Sequence, residues 1–90
     1  TERTAARARL EALTPREFEV MQRVIAGLLN KQIADELGAA EKTIKIHRGR
    51  VMEKMDVGSV AELVRVAQAA GVAPVAGGAV ASGLAEQRLL

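Results

Sequence analysis

The run EKTIKIHRGRVMEKM, residues 41 to 55, holds five Lys or Arg against two Glu, a local charge of +3 that exceeds the +2 of the whole chain. At 100° per residue, Ile44, His47, Val51 and Met55 share one stripe. The opposite side holds Lys42, Ile46, Gly49 and Glu53, with Lys45 and Arg50 on its flanks. Such a face suits a nucleic-acid groove. Lys and Arg donate to guanine edges or phosphates, an apolar Ile46 touches a thymine methyl, and a glycine lets the backbone come close. The same residues also fit a plain solvated helix, in which Ile46 is a single exposed apolar side chain and Gly49 is tolerated at about 1 kcal/mol relative to Ala.

Other chemistry is poorly served. The chain has one His and no Cys, which excludes disulfides, thiol catalysis and Cys/His zinc clusters. His47 has no second ligand or nucleophile spaced to join it, so it reads as a packing residue at the edge of the buried stripe, with one ring nitrogen within reach of a phosphate. Arg48 reads either as a snorkelling residue at the core edge or as a backbone contact. Glu17 and Glu19 read as a solvated face, and no acid/base pair is implied. No catalytic site, metal or cofactor is expected.

These residues must be carried by a small scaffold. Ninety residues make one domain at most, and 49% hydrophobic with 27% charged residues is an ordinary globular composition. Phe18 is the only aromatic, so Leu, Ile, Val, Met and Ala must form the core. A chain of this size buries only about 60% of its unfolded surface. The first residue is Thr, which suggests a piece of a longer or processed chain. The apolar stretch from Val72 to Ala85 is broken by Pro74, Gly77, Gly78, Ser82 and Gly83 and does not span a membrane.

Punctuation divides the chain into helices. Thr14-Pro15-Arg16-Glu17 combines a hydroxyl cap, Pro at the first helical position and Glu closing a capping box. From it Phe18, Met21, Val24, Ile25 and Leu28 recur on one face, ending near Gly27. Asn30 is placed to cap a second helix through Leu37, with Ile33, Ala34 and Leu37 inward and Gly38 as the exit. A third helix runs from about Glu41 to Met55, broken by Asp56 to Gly58. Ser59 and Glu62 form another capping box, opening a fourth that carries Val60, Leu63, Val64, Ala67 and Ala70 and stops at Gly71. Residues 5 to 13 are good helix formers without a cap, read as a frayed lead-in helix or linker over residues 1–13. Residues 72–90 read as a flexible Ala/Gly-rich arm with a weak turn near Leu84 to Leu90. The expected fold is all-α: a compact four-helix domain over residues 14–71, with an extra N-terminal linker helix.

The spacing Ala34, Gly38, Ile44 meets the needs of a helix-turn-helix: a small residue where helices cross, a tight turn, and an anchor for the next helix. That triplet alone fits any compact helical hairpin equally well. The joint pattern LTPREFEVMQRVIAGLLNKQIADEL, then KTIKIHRGRVMEKM, then SVAELVRVA resembles the LuxR/FixJ-type helix-turn-helix domain of bacterial transcription regulators. The resemblance covers Leu13 to Gly71, about two thirds of the chain.

It implies a four-helix fold whose third helix reads the major groove and whose fourth supplies a dimer surface. By position, Lys45, Ile46 and Gly49 fall at base edges, although relatives often carry a longer polar side chain where Gly49 stands. Lys42 and Thr43 fall at phosphate contacts, as do Asn30 and Lys31 at the start of the second helix, with His47, Arg48 and Arg50 beside them. Ala40 stands where many relatives place a Ser or Thr cap, a loss of about 0.5–2 kcal/mol. Val64 and Ala67 are the implied dimer residues. The partners implied are double-stranded DNA, a second copy of the chain and RNA polymerase, in the cytoplasm. The HRGRVMEKM run resembles the response-regulator branch more than ligand-sensing LuxR receptors, and in either branch the input site lies outside these residues. The alternative from another class is a non-enzymatic helical module that docks on protein, for which the small net charge is the best argument.

Overall fold

A computed structural model of the chain describes residues 1–75, which form five α-helices and no strand: α1 Glu2–Glu11, α2 Pro15–Ile25, α3 Asn30–Leu37, α4 Glu41–Lys54 and α5 Val60–Ala69. The helix-turn-helix is α3, the turn at Gly38, and α4. The expected C-terminal arm lies, from residue 76 onward, outside the described residues.

The helix ends follow local chemistry. Thr14 accepts from the Glu17 amide at 3.1 Å while the Thr14 amide donates to Glu17 Oε1 at 2.9 Å, so the capping box is complete. Gly38 sits at φ +64, and the Ala39 amide beyond it closes onto the Ala34 carbonyl at 3.0 Å. This left-handed residue lets α4 leave α3 at once. Asp56 ends α4 in the same way at φ +56, with the Val57 amide on the Met52 carbonyl at 3.0 Å, a place that glycine usually fills.

The core is aliphatic, as the composition demands. Met21, Ile33, Ile44, Val51, Met55 and Leu63 are wholly buried, and each contributes about 1.5–3 kcal/mol by leaving water. α4 packs mainly against α2 and α3, and α1 lies against α5. The inward faces differ in detail from expectation. Phe18 and Ile25 lie on the inward face of α2 but only partly buried against the core, Val20 is fully buried beside them, and on α5 Val66 is buried where Val64 stays partly exposed.

Three expected caps also differ. Asn30 is the first helical residue of α3; the N-cap is Leu29, whose amide donates to Gln32 Oε1 at 2.7 Å. Ser59 caps α5, but Glu62 accepts from the Gly58 amide at 3.1 Å, so the box closes one residue early. The N-terminal segment is a ten-residue helix capped by Thr1, whose hydroxyl accepts from the Thr4 amide at 3.2 Å.

α1 is also tied down. Ala6 is buried, Arg65 Nη1 meets Glu2 Oε1 at 2.6 Å, and Arg9 Nη1 donates to the Met55 carbonyl at 3.4 Å beside Asp56. α1 thus covers part of the wide apolar surface that α5 presents. At the other end, the Gln22 side-chain amide donates to the Ala73 carbonyl at 3.4 Å and the Val75 amide donates to the Gln22 carbonyl at 3.3 Å, laying residues 73 to 75 along α2.

Candidate nucleic-acid interface

α4 is amphipathic in an unusual sense, with a dry side of Ile44, Val51 and Met55 and a charged side that no other helix covers. Lys42, Thr43, Lys45, Gly49 and Arg50 are exposed, and Ile46 stands among them 50% exposed. Anchoring of the dry stripe in the core fixes which way these side chains point, which is the condition for a helix to enter a groove in one register.

Charge on this face is left available. Arg16 and Arg23 of α2 pair with Glu19 and Glu36, and Lys54 pairs with Glu17. Among the described residues, Lys31, Lys42, Lys45 and Arg50 meet no carboxylate within 4.0 Å. Thr1, Thr14 and Ser59 cap α1, α2 and α5, whereas α3 and α4 begin at Leu29 and Ala40 with no side-chain cap. The first-turn amides of both motif helices therefore keep their donors, and the helix dipole favours an anion there.

The far end of α4 is fixed by a buried ion pair. Glu17 is 2% exposed, and Lys54 Nζ lies 2.7 Å from its Oε1. Burial pushes the Glu17 carboxyl up, but the hydrogen bonds from Lys54 and Thr14 and the Lys54 charge outweigh it and hold the group below the usual carboxylate range. Glu17 is therefore an interior residue joined to α4, not part of a solvated face with Glu19. Its capping role was legible in the spacing to Thr14. Its partner, 37 residues away, was not.

The remaining candidates separate. Arg48 is partly buried and donates to Asn30 Oδ1 at 3.0 Å, so these two meet each other at the α3–α4 junction. His47 is partly buried, and its Nδ1 is a buried atom without a hydrogen-bond partner. A Cβ built on Gly49 meets nothing within 4 Å, so no contact within the chain requires glycine there. Ala67 is fully buried and offers a second copy nothing, which removes it from the implied dimer surface; Val64 stays partly exposed. Leu29, 68% exposed at the start of α3, was missed. The signal was present in the apolar pair Leu28-Leu29 directly before the helix, of which only Leu28 is buried.

Residues 11–67 match the family model described as bacterial regulatory proteins, luxR family. The chain is 53% identical over 62 residues to nodulation protein W of Bradyrhizobium diazoefficiens, covering 69% of this chain and 27% of that protein. It is 49% identical over 65 residues to the transcriptional regulatory protein FixJ of the same organism, covering 72% and 32%. The crystal structure of full-length FixJ from B. japonicum superposes with a TM-score of 0.69 at 45% identity, covering 78% of this chain and 36% of that one. The structure of the response regulator StyR gives 0.69 at 48% identity, covering 70% and 32%. The chain thus spans about a third of the length of the relatives it matches. With its motif helices, its anchored α4 and this match in agreement, the chain belongs to the luxR family of bacterial regulatory proteins, and residues 11–67 are its DNA-binding helix-turn-helix domain.

Proposed function

We propose that this domain is the output half of a two-component response regulator in the cytoplasm and that it reads a specific sequence with α4 in the major groove. The supporting observation is the α4 face itself: unpaired cations around an exposed Ile46, directly opposite a stripe with no exposure. Lys45, Ile46 and Gly49 face base edges. Lys31, Lys42, Thr43, Arg48 and Arg50 face phosphates, aided by the uncapped starts of α3 and α4. His47 packs beside them.

The bound form is a homodimer joined through α5 on the side that α1 leaves open, where Val60 and Val64 are the apolar residues at the surface. A two-fold dimer requires half-sites about 10 to 10.5 bp apart or a multiple of that. Recruitment of RNA polymerase is the corresponding route to activation.

Selection of bound duplexes from a random pool, followed by titration across salt, tests this reading. A palindromic site and a steep fall of log affinity with log salt are expected. Lys42→Ala weakens binding evenly across sequences, and Lys45→Ala also relaxes preference at one position. A flat salt response, or no effect of either substitution, refutes groove binding and favours a module that docks on protein.

A further inference from the structure

Asn30 and Arg48 lie on different helices, 18 residues apart, and are joined by one hydrogen bond of 3.0 Å at the only point where a polar side chain of α3 is bonded to a side chain of α4 among the described residues. Asn30 is the first residue of α3, yet its carbonyl oxygen is turned to α4 and takes no part in capping. The Leu29 amide beside it is served by Gln32. Arg48 projects from the flank of α4 that faces α3, some 40° from the Ile44 direction by the helical repeat. A guanidinium carries five N–H donors in a rigid plane. Asn30 engages one of them, and among the described residues no other acceptor takes the rest.

We infer that Asn30 is a positioning residue: its Oδ1 holds the Arg48 guanidinium so that the remaining donors of Arg48 meet a phosphate beside the start of α3. This rests on the proposal that α4 lies in the groove with Arg48 at the backbone. A long Arg side chain on a helix flank samples many rotamers, and each rotamer lost on binding weakens the contact. The Asn30 bond removes much of that freedom before DNA arrives. Oδ1 is an acceptor and cannot bind a phosphate itself, so the bond it accepts from Arg48 is how this oxygen serves the site, and Lys31 and the uncapped amides of α3 supply the adjoining charge and dipole.

The test is a salt titration of DNA affinity on the selected duplex, with the full 90-residue chain as wild type, Arg48→Ala, Asn30→Ala and the double variant. Arg48→Ala is expected to weaken binding about tenfold and to lower the slope of log affinity against log salt by about 0.9, the loss of one phosphate contact. Asn30→Ala is expected to lose a large part of both, and the double variant no more than Arg48→Ala alone. Asn30→Ser, which keeps a hydroxyl at the helix start but is too short to hold the guanidinium in place, should behave like Asn30→Ala in affinity and slope while still melting above the assay temperature. If Arg48→Ala leaves the slope intact, Arg48 is not a phosphate ligand and that part of the groove reading falls. If Arg48→Ala acts but both Asn30 variants leave slope and affinity unchanged, positioning is overturned. Losses that add in the double variant overturn it too, because Asn30 would then touch DNA itself.

Discussion

Glu17 Oε1 and Lys54 Nζ stand 2.7 Å apart and join the first turn of α2 to the last turn of α4. The pair is asymmetric: the carboxylate is 2% exposed and the ammonium 33%. Lys54→Met leaves a buried charge without its cation and should cost about 3 kcal/mol, the range for breaking a buried pair. Glu17→Ala frees a cation that can turn to water, so it should cost less, about 2 kcal/mol including the lost cap. Urea unfolding of both variants checks the order.

The same carboxyl makes stability depend on pH. Its folded value lies below the 4.5 of the free group, so the folded chain binds fewer protons there than the unfolded chain. Its contribution is fully present above about 4.5 and is lost as pH falls through the lowered folded value. Melting temperatures taken from pH 7 down to 3 should fall in the wild type and fall less in Glu17→Gln, whose amide does not titrate.

Ala40 leaves α4 uncapped, with backbone dihedrals of −73° and 144° that already suit a capping residue. Ala40→Ser should therefore stabilise the domain by about 1 kcal/mol. That is a rise of about 4–8 °C in melting temperature for a domain of this size.

Gly49→Ala separates folding from binding. The added methyl meets no atom of the chain within 4 Å, and helix propensity favours Ala by about 1 kcal/mol. Stability should rise while DNA affinity falls, because the new methyl enters the gap between α4 and the base pairs. Higher stability with unchanged affinity removes Gly49 from the base-facing set.

Asp56 holds a left-handed conformation, and its side chain, 83% exposed, reaches Arg9 only at 3.8 Å. A weak exposed ion pair contributes little. Asp56→Gly relieves about 1 kcal/mol of backbone strain and should raise the midpoint of chemical unfolding.

Short-range signals in the sequence located most of this fold. Thr14 with Glu17, the turn at Gly38, and the stripe of Ile44, Val51 and Met55 each depend on residues within about three helical turns, and each forms as the spacing predicts. The misreadings come from partners far along the chain. Asn30 has the composition of an N-cap, but Arg48 claims its oxygen. α1 carries only a thin apolar stripe, Ala6 and Leu10 one turn apart, so little within residues 2 to 11 announces that Ala6 is buried and nothing there announces that Arg65 and Met55 hold its two ends. On α4 the exposed cations were legible because exposure follows from the buried stripe. Which of them are engaged within the chain depends on α2 and α3 and was not.

α1 runs almost wholly ahead of residue 11, where the family match begins. A fragment trimmed to the family boundary would lose a lid: the side of α5 against which α1 packs would be bared, and copies are expected to associate through a surface that α1 covers here. Oligomers measured on so shortened a piece would report the cut, and the affinity of two such copies for a palindrome would be an artefact of the scissors.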